Sequence, residues 1–318
     1  MAAAIAGLLL LAEGSAAAAP TQAARTAIVP FETSPFPYSG RPPGQEKPFF
    51  DVEQEGRRGH TSPRGGVYWE EETYSDRGVL LSIPRGFDCA RPGVLIVFFH
   101  GNGADLQGVV ARRQQVPRQV AQSGLNALLV APQFARNALD SSAGRFYEAG
   151  HFRLFLQEAA ARLAELSGDN SARPAIAALP VVIVAYSGGY LPAAWVAQHG
   201  GAEGRLAGII LLDALYAEAG KFARWIEGRQ TAFFFSAYSP SATEGNLQLQ
   251  RLLSERGIAF STSLPGKLAP ASVTFLATGN DVVHADFLRR AWAPDPLERV
   301  LAKIKGFARS APARGRQR

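Results

Sequence analysis

The amino-acid sequence predicts a single α/β domain in which helices flank a mostly parallel β-sheet. Short apolar runs bounded by turn residues alternate along the chain with segments whose apolar residues recur at helical spacing. Strands that are apolar on both faces are typical of a parallel sheet buried between helices. Hydrophobic residues make up 47% of the 318-residue chain, which is enough for a large core and excludes a disordered protein.

The cysteine count and the charge exclude several classes of protein. Cys89 is the only cysteine, so the chain has no intramolecular disulfide, no redox pair and no cysteine-based zinc site. The formal net charge of +6 is spread along the chain, apart from the basic tail "ARSAPARGRQR". No nucleic-acid-binding motif accompanies this charge, so we expect a solvated basic surface and no nucleic-acid partner.

The first residues resemble an export signal. An apolar run, Ala4 to Ala12, is followed by small residues that offer a cleavage site near Ala18. The usual positive start is missing, because Arg25 is the first basic residue. The run is too short for a stable membrane span. We therefore predict a signal peptide over residues 1–18 and a secreted or periplasmic protein.

Residues 19–66 are rich in Pro, Gly and charge, and this composition predicts an extended arm that precedes the domain. Phe49 and Phe50 are candidates for attaching the arm to the domain. The domain itself is expected over residues 67–308, and a basic tail over residues 309–318.

Eight strands are expected in the sheet. The stretches "VYWEEETY" and "GVLLSIP" alternate polar and apolar residues and predict a pair of edge strands. Six apolar runs then predict the core strands: residues 94–99, 127–131, 181–185, 209–212, 232–235 and 273–277.

Helical spacing fills the segments between these strands. Pro117 predicts a break or kink inside the first segment, and several of the later segments end at glycine, as helices commonly do. The predicted helical segments are residues 107–124, 151–168, 191–201, 221–228 and 246–257. Strands and helices in this alternation give a right-handed β-α series.

The stretch "PVVIVAYSGGY", residues 180–190, ends a predicted core strand at Ser187. Ligands bind at the carboxyl ends of the strands in an open parallel sheet. A serine in a tight strand-to-helix turn with small neighbours projects outward, as in a nucleophile elbow, although Ser and Gly also form ordinary turns. Ala185 stands where the usual Gly-x-Ser-x-Gly pattern has its first glycine. We predict that Ser187 is a nucleophile.

A second glycine-rich turn follows the first core strand. The stretch "HGNG", residues 100–103, can supply a backbone donor to the oxyanion that a serine nucleophile generates. We predict that the N–H groups of Asn102 and Gly188 form this oxyanion hole. A plain glycine turn is the alternative.

His284 is the histidine in the best position to serve as the base. Of the five histidines, it alone comes after a core strand and is also separated from Ser187 by a full set of helices and strands. It lies on the loop after the last predicted strand, in "GNDVVHADF". A surface histidine without a role is the alternative.

With these motifs the chain resembles the α/β-hydrolase superfamily from about residue 67 to the C-terminus, and looks closest to exported bacterial hydrolase-like proteins. The order nucleophile, acid, histidine is the family's order. The resemblance implies an α/β-hydrolase fold with a mostly parallel eight-stranded sheet in one domain, and a serine hydrolase with a triad and a backbone oxyanion hole.

The acid of the triad has three candidates. The family usually carries it after the strand two beyond the elbow, where only Glu244 is available. Some members carry it one strand earlier, and Asp213 ends that strand here. We prefer Asp213, then Glu244, then Asp281, which is close in sequence to His284. An ordinary turn cap is the alternative for Asp213.

Loops over the strand ends are expected to contact the substrate. The connection over residues 131–152 is long, and the insertion after the sixth strand leaves room for one helix, which predicts an open site. The candidate substrate-binding residues are Arg136, Asp140, Arg145, Phe146, Tyr147, Tyr186 and Tyr216. A solvated residue with no role in substrate binding is the alternative for any one of them.

No metal-binding, P-loop or dinucleotide motif is present, so no cofactor is expected. The sequence favours a hydrolase of carboxylic esters. Two alternatives remain: an amidase or peptidase with the same triad, acting on cell-envelope material, and a non-catalytic binding protein on a hydrolase fold. The substrate is expected to be a small or envelope-derived ester or amide.

Overall fold

The computed structural model describes residues 24–229 and 231–310, and the predicted signal peptide lies outside them. Across the described residues, the strands are β1 (Arg25–Pro30), β2 (Val52–Gln54), β3 (Arg57–Thr61), β4 (Val67–Trp69), β5 (Gly78–Ile83), β6 (Val94–Phe99), β7 (Ala127–Pro132), β8 (Val181–Tyr186), β9 (Leu206–Leu212), β10 (Phe233–Tyr238) and β11 (Val273–Ala277).

Eight of these strands form one sheet in the order β1-β5-β7-β6-β8-β9-β10-β11. The pairs from β7 to β11 are parallel, and β5 runs antiparallel to both of its neighbours. This arrangement confirms the predicted mostly parallel, eight-stranded sheet. The six predicted core strands are present, with bounds that differ by up to three residues.

Helices cover both faces of the sheet, as the two-sided apolar strands require. They are α1 (Val116–Gln122), α2 (His151–Ser167), α3 (Arg173–Ala178), α4 (Tyr190–His199), α5 (Ala219–Glu227), α6 (Thr243–Glu255) and α7 (Pro296–Leu301). Alternate residues of β6 enter different cores, since Val97 packs with α2 to α6 on one face and Ile96 packs with α1 and α7 on the other.

The break predicted at Pro117 is present. A helical turn over Leu106–Arg113 ends just before it, and Gln115 takes a left-handed φ of +53°. α1 then begins at Val116, with the proline in its first turn, where a missing N–H costs no hydrogen bond.

The edge of the sheet differs from the prediction. The stretch "VYWEEETY" is not one strand: β4 pairs with β3 in a small antiparallel sheet, β2-β3-β4, and Glu70–Tyr74 form a helical turn. β5 instead pairs with β1, with Ile28 beside Leu80. The predicted number of strands is therefore right, but β1 takes the place of the predicted edge strand.

Residues 24–66 belong to the same folded unit as the rest of the chain. β1 closes one edge of the main sheet, and the aromatic rings of Phe31, Phe36 and Phe49 are buried in its core. The domain boundary expected at residue 67 therefore does not separate two structural parts. Large aromatic side chains dominate core energetics, so this segment is part of the core's stability.

The described C-terminal residues also pack on the domain. The Arg309 guanidinium donates to the carbonyl oxygens of Ser123 and Ala302, and the Ser310 N–H donates to Gly124 O at 2.9 Å. The rest of the predicted basic tail lies outside the described residues. No helix in the described part of the chain is both long enough and apolar enough to cross a membrane.

Candidate active site

Ser187 lies in the turn between β8 and α4. The chain makes one tight helical turn over Ser187–Gly189 before α4 begins. The φ of Ser187 is +53°, in the left-handed region that residues with a side chain rarely adopt. Backbone strain of this kind is concentrated at functional sites. The half-buried Ser187 hydroxyl is thus presented at the carboxyl end of a central strand.

Glycines make this turn sterically feasible. A Cβ on Gly189 would collide with the carbonyl oxygen of Phe99 in the neighbouring strand β6. A Cβ on Gly101 would lie 2.6 Å from the Cβ of Ser187. The close approach of the elbow to the end of β6 therefore requires glycine on both sides of the contact.

Asp213 and His284 are in direct contact. Asp213 follows Leu212, the last residue of β9, and Leu212 lies beside Tyr186 in the sheet. His284 opens a short helical turn in the loop after β11. The Nδ1 atom of His284 lies 2.6 Å from Oδ2 of Asp213, which is a hydrogen-bonding distance.

The Asp213 carboxylate is fully buried and is hydrogen-bonded on both oxygens. Oδ1 accepts the Ser239 N–H at 2.8 Å, and Oδ2 accepts the hydroxyls of Ser239 at 3.0 Å and Ser241 at 3.2 Å. Burial raises the pKa of Asp213, but the hydrogen bonds from His284 and Ser239 outweigh burial and hold this pKa below its ordinary value. The carboxylate is therefore ionised at neutral pH.

The imidazole of His284 is held against the elbow by Tyr186. The two rings are stacked with centroids 4.8 Å apart, and the Tyr186 hydroxyl lies 3.3 Å from His284 O. Tyr186 precedes Ser187, so this stack ties the histidine loop to the serine turn. Within the described ranges, neither Ser187 Oγ nor His284 Nε2 makes a hydrogen bond, and both atoms are free to meet a substrate.

His100 fixes the glycine-rich turn after β6. Its Nε2 accepts the Phe134 N–H at 2.9 Å, so the proton of the neutral ring is on Nδ1, which donates to Gly101 O at 2.8 Å. Burial lowers the pKa of His100 to about 4 and keeps the ring neutral. The Gln133 amide lies 2.9 Å from the same Nε2. This network anchors the turn to the strand end of β7.

The two residues whose N–H groups are predicted to form the oxyanion hole lie next to each other. The side chain of Asn102 packs directly against Gly188, where an added Cβ would collide with its Oδ1. That oxygen accepts the Ser141 hydroxyl at 3.0 Å. In the described part of the chain, the Asn102 N–H donates to no protein acceptor. The Gly188 N–H belongs to the first turn of a helix, where N–H groups lack acceptors in the helix.

The other two candidates for the acid lie away from the imidazole. Glu244 is exposed in the first turn of α6, and Asp281 is exposed in the loop that leads to His284. Neither carboxylate contacts His284 among the described residues, where the ion pair of this histidine is with Asp213.

Three of the four aromatic residues predicted to bind substrate lie at or near the site. Tyr186 stacks on His284, and the Tyr216 hydroxyl lies 3.4 Å from the Nδ1 atom of that histidine. Tyr147 lines a neighbouring cavity. The predicted substrate-binding role of Phe146 is wrong, because this side chain is 0% exposed and packs among other aromatic rings in the core.

Charged residues of the same loop mostly have partners in the protein. Asp140 is buried and accepts hydrogen bonds from the hydroxyls of Tyr74 and Ser142. Arg145 donates to Glu32 O at 2.8 Å. The long loop is thus largely tied into the domain, which sequence reasoning did not anticipate.

Several polar residues that support the site were not predicted. They are Gln133, Ser141, Ser239 and Ser241. Gln133 is hydrogen-bonded to His100 in the glycine-rich turn, Ser141 to Asn102, and the last two to Asp213. The one available signal was the serine-rich stretch "YSPSA" at the end of β10, next to the strand that carries Asp213. In residues 24–229 and 231–310, no three His, Cys, Asp or Glu side chains are grouped so that they could hold a metal ion.

No protein-family model matches the chain, and a search of curated proteins gives no match. Among solved structures, it is similar to the feruloyl esterase module from Clostridium thermocellum, with 14% identity, a TM-score of 0.44, and coverage of 78% of this chain and 87% of that one. A ferulic acid esterase gives 9% identity, a TM-score of 0.45, and coverage of 80% and 90%.

An IroE-like serine hydrolase from Shewanella oneidensis gives 12% identity, a TM-score of 0.42, and coverage of 71% of this chain and 74% of that one. The chain's own strand order and flanking helices, with the elbow after a central strand, are those of an α/β-hydrolase fold.

Proposed function

We propose that the protein is a serine hydrolase that cleaves carboxylic esters, with Ser187 as nucleophile, His284 as base and Asp213 as the acid that orients the imidazole. The observation that carries this proposal is the 2.6 Å contact between His284 Nδ1 and the buried Asp213, at the same sheet edge as the strained Ser187 turn. An ionised carboxylate on Nδ1 keeps the proton on that nitrogen and leaves Nε2 as a base.

In the acylation step, Ser187 Oγ attacks the ester carbonyl carbon while His284 Nε2 takes the hydroxyl proton. The carbonyl oxygen becomes an oxyanion and accepts hydrogen bonds from the N–H groups of Asn102 and Gly188. Collapse of this tetrahedral intermediate breaks the carbon–oxygen bond of the ester. The imidazolium gives its proton to the departing alcohol, and an acyl group remains on Ser187.

Deacylation repeats the sequence with water as the nucleophile. His284 takes one proton from the water, and the hydroxide attacks the acyl carbon. The second tetrahedral intermediate uses the same oxyanion donors. Its collapse returns the proton to Ser187 Oγ and releases a carboxylic acid, so the enzyme ends in its starting state.

We infer an ester as the substrate bond on chemical grounds. An alcohol is a better leaving group than an amine and needs less proton assistance at the moment of bond cleavage. Among the described residues, the site offers one imidazole for that purpose. An amine must be protonated before it leaves, so an ester is the less demanding substrate for this site.

We also propose that the protein acts outside the cytoplasm. The support is the apolar run before residue 13, followed by small residues suited to cleavage. The net positive charge would draw such a protein to anionic envelope surfaces.

The experiment that tests the proposed activity is a hydrolysis panel of acyl esters and matched anilides of the same acyl groups. The wild type should cleave esters, and the Ser187→Ala variant should lose at least ~10³-fold in kcat. Ser254→Ala, on the exposed side of α6, is the matched control and should keep the activity of the wild type. Cleavage of anilides but not esters would replace the ester proposal with an amidase, and full activity in Ser187→Ala would remove both.

A further inference from the structure

A cavity of about 630 Å³ lies beside the elbow, between residues 42–64 and the start of α4. One wall is the N-terminal segment, which supplies residues 42–48 and 60–64. The opposite wall comes from the long loop after β7 and from Tyr190, Leu191 and Trp195 of α4. A volume of this size suits a small organic ligand.

The cavity adjoins the groups proposed to carry out the chemistry, because two of its lining residues contact that site. Ser141 lines it, donates to the side chain of Asn102, and lies close enough to Gly188 to collide with an added Cβ. Tyr190 lines it as well, and its ring is 5.9 Å from that of Tyr216. A ligand in this cavity therefore lies next to the nucleophile turn and its oxyanion donors.

The N-terminal wall is held in place by specific bonds. Ser62 is buried, and its hydroxyl donates to Leu139 O at 2.8 Å, which joins the segment to the loop after β7. The turn that follows Ser62 is closed by a 3.0 Å hydrogen bond from its N–H to Gly66 O. This turn holds Arg64 at the rim of the cavity.

Three of the charged groups around the cavity, two cations and one carboxylate, have no partner among the described residues. The cavity is lined by His60 and by these charged residues: Glu46, Lys47, Asp51, Arg64, Asp140 and Glu218. Asp51, Asp140 and Glu218 already accept hydrogen bonds or form an ion pair within the protein. Across the described residues, the side chains of Arg64, Lys47 and Glu46 have no such partner.

Of the two free cations, Arg64 is the one whose charge acts on Tyr190 and Tyr216, next to the proposed active site. Burial raises the pKa of Tyr190 and of Tyr216, and the positive charge of Arg64 opposes that rise at both residues. The Tyr216 hydroxyl is itself 3.4 Å from His284 Nδ1. A guanidinium at this position can pair with a carboxylate through two parallel hydrogen bonds.

We propose that the cavity beside the elbow selects esters that carry a carboxylate, and that Arg64 pairs with this group. The inference rests on the proposed ester hydrolysis and adds the class of substrate. It also assigns a role to the N-terminal segment, which forms the substrate-binding wall that the short insertion after the sixth strand does not supply.

The test compares esters that differ in one charge. The acyl-side pair is the para-nitrophenyl monoester of succinate and para-nitrophenyl butanoate; the alcohol-side pair is para-acetoxybenzoate and phenyl acetate. In at least one pair, the wild type should favour the anionic ester in kcat/KM by about tenfold or more, the scale of one charged hydrogen bond. The Arg64→Gln variant should lose this preference.

Arg85→Gln is the matched control, because Arg85 is exposed, has no ion pair in the described residues, and lies outside the cavity. It should keep the preference of the wild type. Thermal unfolding of Arg64→Gln should match that of the wild type, since the Arg64 side chain makes no hydrogen bond in the described structure. Equal kcat/KM values for the anionic and neutral members of both pairs would overturn the inference.

A binding measurement separates this inference from the proposed activity. Calorimetry should show that para-acetoxybenzoate binds to the Ser187→Ala variant. Binding should be about tenfold weaker in the double variant that carries both Ser187→Ala and Arg64→Gln. If the wild type cleaves no ester, the proposed activity fails, and this titration still decides the inference. If the wild type cleaves all four esters and neither the kinetics nor the titration depends on Arg64, the inference fails and the activity stands.

Discussion

At the scale of single residues, the contact between Asp213 and His284 is the feature on which the proposed chemistry depends. The carboxylate is buried, hydrogen-bonded on both oxygens and in contact with one imidazole nitrogen. A group held this way fixes both the orientation and the tautomer of the histidine.

Replacing Asp213 by Asn should therefore lower kcat by on the order of 10³- to 10⁴-fold, because an amide can leave the imidazole in the wrong tautomer. Glu244→Gln is the control and should keep the wild-type kcat, since Glu244 is exposed in α6 and away from His284. Steady-state kinetics with thermal unfolding checks both variants. A large loss in Glu244→Gln, with little loss in Asp213→Asn, would contradict the assignment.

The lowered pKa of His100 leads to a prediction of how the free energy of unfolding depends on pH. Burial lowers its pKa from 6.5 to about 4, so the unfolded chain binds a proton between these values while the folded state does not. The free energy of unfolding should fall as the pH drops from about 6.5 to 4, by about 3 kcal/mol from this group. In His100→Gln, denaturant unfolding at several pH values should show a weaker dependence in this window. An identical dependence would show that His100 does not contribute.

The positions of the three proposed triad residues could be predicted because each of them follows a strand in chain order. Ser187, Asp213 and His284 come after β8, β9 and β11, whose carboxyl ends meet at one edge of the sheet. The serines that support Asp213 were not predictable, since side-chain hydrogen bonds between loops depend on loop paths. Phe146 was misjudged for the same reason: its loop packs inward, and the aromatic ring enters the core.

At the scale of elements, the approach of the elbow to β6 sets a sharp steric limit. Gly189→Ala should destabilise the protein by about 1–3 kcal/mol or more, because its Cβ meets the backbone oxygen of Phe99, which cannot turn away. Gly204→Ala is the control, since a Cβ there meets no atom within 4 Å. Denaturant unfolding should place this control within about 0.5 kcal/mol of the wild type. Equal stability of the two variants would contradict the tight packing at the elbow.

Core strands were easier to predict than edge strands. An apolar run such as β6 has one stable environment, a sheet covered on both faces. Alternation in "VYWEEETY" is compatible with a short strand or a helical turn, and here the chain contains both. The partner of an edge strand is set by distant contacts, and β1 lies in a segment whose composition resembles a linker.

At the scale of the whole molecule, residues 24–66 are part of the domain. A chain that starts at Val67 should fail to unfold cooperatively. It lacks strand β1, and its core lacks the buried rings of Phe31, Phe36 and Phe49. Each buried aromatic side chain contributes about 1.5–3 kcal/mol. A chain that starts at Ala19 is the control and should unfold cooperatively in thermal circular dichroism. Cooperative unfolding of both chains at the same temperature would restore the boundary at residue 67.

Export is a second prediction at this scale. If residues 1–18 are a signal peptide, the mature protein from its native host should begin near Ala19 and be recovered outside the cytoplasm. Mass spectrometry of the intact protein measures its N-terminus. A soluble cytoplasmic species that retains Met1 would contradict this prediction.

The central claim is that Ser187 forms a covalent acyl intermediate with the help of His284. Labelling with a fluorophosphonate, followed by peptide mass spectrometry, tests it directly, because the probe reacts with a serine only when a neighbouring base activates it. We predict one label on the wild-type peptide that contains Ser187, none at this position in Ser187→Ala, and a strongly reduced rate in His284→Ala. A label elsewhere that persists unchanged in Ser187→Ala would contradict the account.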